Sequence, residues 1–341
     1  MAPRAETWLK SGVLLLCGAA LKTLWDGSGH DHGPTGCYTP PAQAAEGSAP
    51  AFDPFREGPT PLRIIKVASE GHKEPLFGLP TIFMSVHHNE YISNEMATNL
   101  YGPSWWFKMV GAVQRDKLLV DVGFNIGGVG IVAAAQGMRL IGFEPVRKNW
   151  ILGQQSIRLN HLQDRVTLYH AAVHWSGERM RIMHNFSVEA DGMLNAGQGT
   201  LGDRSDTDVK NADASMFEEV DTISLSDAVR EDVWLMKLDV EGCECHCLKS
   251  AEGLFSTHTV NYIFIETDRT ASARCGCRPG FFVDFFRRHG FGACPKFEGT
   301  KQGPGRSCET FETLTADTWF NRHDRWLRKE AAPLLPGVPV V

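Results

Sequence analysis

The sequence predicts an α/β protein with an open, mostly parallel sheet and helices on both faces. Three observations carry that expectation. Short runs such as Leu118-Leu-Val-Asp-Val122 and Val233-Trp-Leu-Met-Lys-Leu238 are brief and almost wholly apolar, as strands buried between two helix layers are. Segments with a helical apolar period alternate with these runs, the βαβ pattern of a parallel sheet. Glycine-rich or acidic turns stand at the ends of the strands, where open α/β sheets hold their ligands.

The chain divides into five parts. Residues 1–25 are a hydrophobic leader: Arg4 and Lys10 precede an apolar run from Gly12 to Leu21, and Lys22 follows it. Roughly ten apolar residues are short for a ~30 Å hydrocarbon core. The run therefore reads as a signal peptide, or as a short membrane anchor if Trp8 to Trp25 inserts with its lysines snorkelling. Both readings direct the chain to the secretory pathway or a membrane; a disordered leader on a cytoplasmic protein is the alternative. Residues 26–61 carry Gly33-Pro34, Pro40-Pro41 and Pro59-x-Pro61 with no apolar period, a flexible linker.

Residues 62–114 read as an N-terminal substrate or lid segment. It holds strands at Arg63–Val67 and Thr81–Val86 and a helical stretch from Glu95 to Val113, with Trp105, Trp106 and Phe107 in a row. Residues 115–325 form the ligand-binding domain. Its strands are expected at Leu118–Val122, Arg139–Phe143, Val166–His170, Arg179–Met183, Glu219–Ile223, Val233–Leu238 and Tyr262–Ile265, with two closing strands between Phe291 and Asn321. Helices are expected at Gly128–Gln136, Arg147–Asn160, Cys243–Gly253 and Phe281–His289, and one opened by Ser224 or Ser226. Asn185 to Ala214 is polar, Gly-rich and without period, a long loop of the kind that shapes a binding site. Residues 326–341 are a tail.

Composition narrows the function. A net charge of −6 argues against a nucleic-acid partner, since such proteins carry a basic face. Nine cysteines leave at least one unpaired. Cys243-Glu-Cys-His-Cys247 and Cys275-Gly-Cys277 lack the CxxC spacing of a zinc ribbon, so small buried residues or disulfides are the reading and no metal is expected.

Three motifs carry chemistry. Asp121-Val-Gly123-Phe-Asn125-Ile-Gly127 stands where a strand gives way to a helix. Glycine there lets the backbone turn sharply and approach a ligand, and the helix N-terminus supplies free N–H groups. A dinucleotide fingerprint needs G-x-G-x-x-G; here Asn125 occupies the second glycine position and Asp121 precedes the first. Both differences favour a cofactor bearing an amino acid, whose ammonium Asp121 or an adjacent water would receive. Glu144, in Phe143-Glu-Pro145 at the end of the second strand, is placed to accept both hydroxyls of a ribose. Lys237-Leu-Asp239-Val-Glu241-Gly242 sets two acids beyond a very apolar strand, where acids are costly to keep without a purpose. Capping of the next helix by Asp239 is the plain alternative.

With these motifs the sequence resembles the FkbM family of methyltransferases, through Asp121–Gly127, Phe143-Glu-Pro145, Ala171-Ala-Val173, Val220-Asp-Thr-Ile-Ser-Leu225, Lys237–Gly242 and Ile263-Phe-Ile-Glu266. The resemblance spans about residues 80 to 290. It implies a Rossmann-like class I methyltransferase fold with a seven-stranded, mostly parallel sheet, and S-adenosylmethionine as cofactor. Asp121, Gly123, Asn125, Gly127, Glu144 and Ala172 would seat the cofactor. Asp239 and Glu241, with Glu266 nearby, would lie beside the acceptor hydroxyl, with Asp239 as base and Glu241 or His174 as competitors. The acceptor would be a glycan or small molecule. The rival functions are a non-catalytic Rossmann-fold binding protein and an NAD-dependent reductase, the latter disfavoured by Asn125.

Overall fold

The computed structural model describes residues 63–67, 81–88, 90–98, 114–184, 187–188, 194–195, 199–201, 217–294, 309–310 and 324–329. The leader, the linker, Trp105–Phe107 and most of the 185–214 loop lie outside them. Among the described residues no helix is long and apolar enough to cross a membrane.

The strands in chain order are β1 (Arg63–Val67), β2 (Ile82–Val86), β3 (Leu118–Val122), β4 (Arg139–Phe143), β5 (Val166–Tyr169), β6 (Ala172–Val173), β7 (Met180–His184), β8 (Ser187–Val188), β9 (Leu194–Asn195), β10 (Gly199–Leu201), β11 (Phe217–Val220), β12 (Thr222–Ile223), β13 (Val233–Leu238), β14 (Val260–Glu266), β15 (Phe291–Cys294), β16 (Glu309–Thr310) and β17 (Asp324–Lys329). The helices are α1 (Tyr91–Ala97), α2 (Gly130–Ala135), α3 (Arg147–Leu159), α4 (Leu225–Ala228), α5 (Glu244–Ser250), α6 (Glu252–Thr257), α7 (Arg269–Arg274) and α8 (Pro279–Arg288).

The central sheet runs β16-β15-β17-β14-β13-β3-β4-β5. β5, β4, β3, β13 and β14 are parallel neighbours, while β17 lies antiparallel between β14 and β15. This is the Rossmann-like class I arrangement. The sheet has eight strands where seven were expected, because the two-residue β16 adds to the edge. The closing strand β17 also lies later than the expected 291–321 region and runs four residues past residue 325. Its sequence, Asp-Arg-Trp-Leu-Arg-Lys, has no apolar run; pairing on both edges holds it.

Every residue of β3 is buried, and the pleat divides its side chains between two cores. Leu119 joins Leu140, Phe124 and Ile131 on one face. Leu118, Val120 and Val122 join Met236, Leu248 and Phe286 on the other. The described part of the expected lid segment belongs to the first core: Ile65, Val67, Ile82, Met84 and Val86 of the β1–β2 hairpin pack there with Met96 of α1. Helix α3 presents a polar row to β2. Ser85 N–H donates to Ser156 Oγ (3.0 Å), Phe83 N–H donates to Asn160 Oδ1 (2.8 Å), and Asn160 Nδ2 donates to the Phe83 carbonyl (2.6 Å). Side chains thus stand where a third strand would pair, which satisfies the open edge.

Beyond β5 the chain continues into β6, which pairs in parallel with β12, and β7 lies between β10 and β11. The stretch expected as one strand, Glu219–Ile223, is broken at Asp221 into β11 and β12, and Ser224 caps α4 by accepting Asp227 N–H. Helix α7 was not expected from the sequence.

Candidate cofactor and acceptor site

The carboxyl ends of β3, β4, β6 and β13 converge on a cleft that opens to solvent, lined by Gly123, Glu144, Ala172, His174, Asp239, Glu241, Cys243 and Cys247 among others.

Gly123 ends β3 at a φ of +81°, and a Cβ there would sit 1.8 Å from the Asp239 carbonyl oxygen. Only glycine lets the tips of β3 and β13 approach this closely. Asn125 also has a positive φ, +54°, a conformation that asparagine tolerates better than most residues. Its N–H donates to Glu144 Oε2 (2.7 Å), while Val146 N–H donates to Glu144 Oε1 (2.9 Å). The carboxylate of Glu144 is thus fixed by two backbone donors and a hydrogen bond with the Asn149 side chain, and it lines the cleft. Burial pushes its pKa up to about 8, against the pull of those two N–H groups.

The cofactor residues expected from the sequence therefore fall into two groups. Gly123, Glu144 and Ala172 line the cleft; Asp121, Asn125 and Gly127 do not. Asn125 acts through its N–H to Glu144. Gly127 shapes the loop, since a Cβ there would meet Ile131 and Phe124 at 2.6 Å. Asp121 is fully buried beneath the loop and does not line the cleft. Register explains why: Asp121 pairs with Lys237 across β3 and β13, and the ammonium lies 3.4 Å from Oδ1. Burial raises the pKa of Asp121, opposed by Lys237.

Lys237 is the feature the motif alone did not assign. It is 4% exposed, donates to the Gly123 carbonyl (2.6 Å) and lies 3.2 Å from Asp239 Oδ2. One ammonium thus joins the glycine loop to the acidic motif. The available signal was a lysine within an otherwise apolar strand, which a buried position tolerates only when paired.

Asp239 and Glu241 both line the cleft, as expected. Their carboxylates gather with Glu266 of β14, with oxygens within 4.8 Å of one another. Burial pushes Asp239 upward in pKa, but Lys237 and a hydrogen bond with Glu266 outweigh it and hold the group below its ordinary value. Glu241 sits at φ +57° and Gly242 at φ +102°, so the acidic loop is tightly coiled. Glu244, also unassigned from sequence, holds that coil: its Oε1 accepts N–H from Val240 and Gly242, both at 3.1 Å. Burial lifts its pKa to about 7. His174 lines the cleft with Nδ1 accepting the Ser176 N–H (3.1 Å), so Nδ1 is its unprotonated nitrogen.

The cysteine runs resolve into disulfides Cys243–Cys275 and Cys245–Cys277, with Cys247 a buried thiol.

A buried carboxylate aimed at a strand-end cleft, beside a glycine that no side chain could replace, fits the ribose and amino-acid portions of S-adenosylmethionine. Among solved structures, the chain is similar to a methyltransferase FkbM from Methylobacillus flagellatus KT at 19% identity and TM-score 0.31, covering 51% of this chain. It spans 42% of the length of that protein. It is also similar to StiE O-MT (11% identity, TM-score 0.35, covering 70% of this chain and 77% of that one). A third likeness is to precorrin-6y C5,15-methyltransferase from Geobacter metallireducens GS-15 (11%, TM-score 0.28, covering 63% and 80%). No curated protein matches the chain. The family model described as the methyltransferase FkbM domain matches residues 121–292, from the glycine loop through the acidic motif to β15. The chain belongs to the FkbM family of methyltransferases, class I by fold and with S-adenosylmethionine as the family's cofactor.

Proposed function

We propose that the chain is an S-adenosylmethionine-dependent O-methyltransferase acting on a hydroxyl of a glycan or small metabolite. The observation that carries this reading is the position of Asp239: a carboxylate kept ionised by Lys237, in the same cleft as Gly123 and Glu144. S-adenosylmethionine supplies a methyl group already activated on a sulfonium. What remains for the protein is alignment of the acceptor oxygen and removal of its proton. That proton becomes strongly acidic only as the new O–C bond forms, so an ionised carboxylate of ordinary or low basicity suffices late in the reaction. Asp239 takes it, with the Lys237 ammonium 3.2 Å from its Oδ2. Glu241, on the same coil, is the competing base.

The glycan preference draws on the sugar-modifying members of the family, and on a leader and two disulfides suited to an oxidising compartment. The secretory pathway or a membrane surface is the location this reading implies.

Asp239→Asn tests the assignment. Labelled methyl transfer into fractionated extract should fall about 100-fold or more, the scale of losing a general base, while affinity for S-adenosylhomocysteine stays within about threefold. Full transfer by the variant would remove Asp239 as the base.

A further inference from the structure

The acidic loop and helix α7 form one wall. Gly242 lies so close to α7 that a Cβ on it would sit 2.4 Å from the Ala271 carbonyl carbon. Helix α7 follows Glu266 by two residues and is capped by Asp268, whose Oδ1 accepts Ala271 N–H (2.6 Å). Yet α7 buries almost no apolar surface. It is six residues long, Arg-Thr-Ala-Ser-Ala-Arg, and Ser272 is its one buried side chain. Apolar burial cannot fix an element of that composition.

Two cross-links tie the acidic loop and α5 to the C-terminal end of α7. Cys243, the residue after Gly242 and itself in the cleft lining, is bonded to Cys275 at the C-cap of α7. Cys245, the second residue of α5, is bonded to Cys277. His246, the next residue, adds a hydrogen bond of 2.9 Å to the Cys275 carbonyl. By contrast Gly123, Asn125 and Glu144 are carried by β3, β4 and their own loops, which the disulfides do not touch.

We propose that these two cystines are positioning groups for methyl transfer. They hold the loop from Asp239 to Gly242 and helix α7 in register, so the chain is competent for transfer in its oxidised form and loses acceptor-side order on reduction, while the cofactor seat persists. The inference rests on the reading of Asp239 and Glu241 as acceptor-side residues. Reduction by a dithiol such as dithiothreitol breaks each S–S bond to two thiols. Each cystine gains two electrons and two protons, and the reductant closes to its cyclic disulfide. Cys247 stays out of this exchange: it is a buried neutral thiol, and burial raises its pKa well above the ordinary value.

The experiment compares the full chain before and after dithiothreitol treatment, by peptide mapping, hydrogen exchange and titration with S-adenosylhomocysteine. The expected map shows both cystines in the untreated protein. Reduction should speed exchange at residues 240–243 and 269–277 at least tenfold, leave 118–145 unchanged, and keep S-adenosylhomocysteine affinity within about fivefold. The paired variants C243S/C275S and C245S/C277S should reproduce this; should they fail to fold, the reduced wild-type protein still gives the reading. Unchanged exchange on reduction overturns the proposal, as does loss of order throughout the domain together with cofactor affinity. Four free thiols with zinc bound in the purified chain also overturn it. Absence of S-adenosylhomocysteine binding in the oxidised protein would instead sink the cofactor assignment.

Discussion

Glu144 and Lys237 set the electrostatics of the site residue by residue. At neutral pH burial keeps Glu144 largely protonated, its pKa lifted from 4.5 to about 8. Ribose hydroxyls donate best to the ionised form, so S-adenosylhomocysteine binding near pH 7 should expel a proton, and affinity should rise with pH until about 8. Calorimetry in buffers of different ionisation enthalpy measures that proton; none released would contradict the ribose assignment. The same shift acts on stability. Between about pH 4.5 and 8 the folded chain holds more protons at Glu144 than the unfolded chain, so this contribution is present below 4.5 and lost as pH rises through 8. Lys237→Met should cost about 3 to 5 kcal/mol in urea unfolding, the scale for stranding buried charges, because Asp121 and Asp239 lose their shared ammonium. A cost below about 1 kcal/mol would show that the ion pairs are incidental.

At the scale of elements, the ends of β3 and β13 decide the site. Gly123→Ala places a methyl group into the Asp239 carbonyl and should part the two strand tips. S-adenosylhomocysteine affinity should fall more than tenfold with the far-ultraviolet spectrum retained; unchanged affinity would mean that the tips are not the seat. Which elements were legible in the sequence follows from the same physics. β3, β4, β13 and β14 announced themselves because a strand covered on both faces is apolar throughout, and Glu144 and Asp239 stood out as acids just beyond such runs. β17 stayed hidden because Trp326-Leu327 is all the apolar run it has, and its neighbours come from distant chain. Helix α7 has no apolar period to detect. Lys237's partners depended on strand register, which places Asp121 beside it, and Glu244's role depended on how the acidic loop coils back.

For the molecule as a whole, the β1–β2 hairpin shares its core with the cofactor-binding sheet. Met84 is fully buried there, so Met84→Ala should cost about 2 to 5 kcal/mol and lower the midpoint of a single unfolding transition. A separate early transition for the hairpin would show it to be an independent unit. The comparison of sequence and structure points the same way: the segment before residue 115 had no motif to tie it to the domain, and its described part is attached by apolar side chains in the shared core and by side chains that bond the edge of β2.

The central claim is that Gly123 and Glu144 seat the nucleoside of the methyl donor. Its most direct test is titration of the full chain and of Glu144→Ala with S-adenosylhomocysteine. Saturating heat at one ligand per chain, lost in a variant that remains folded, is the expected result. A wild-type chain that gives no heat, or a variant that binds as tightly as wild type, would contradict it.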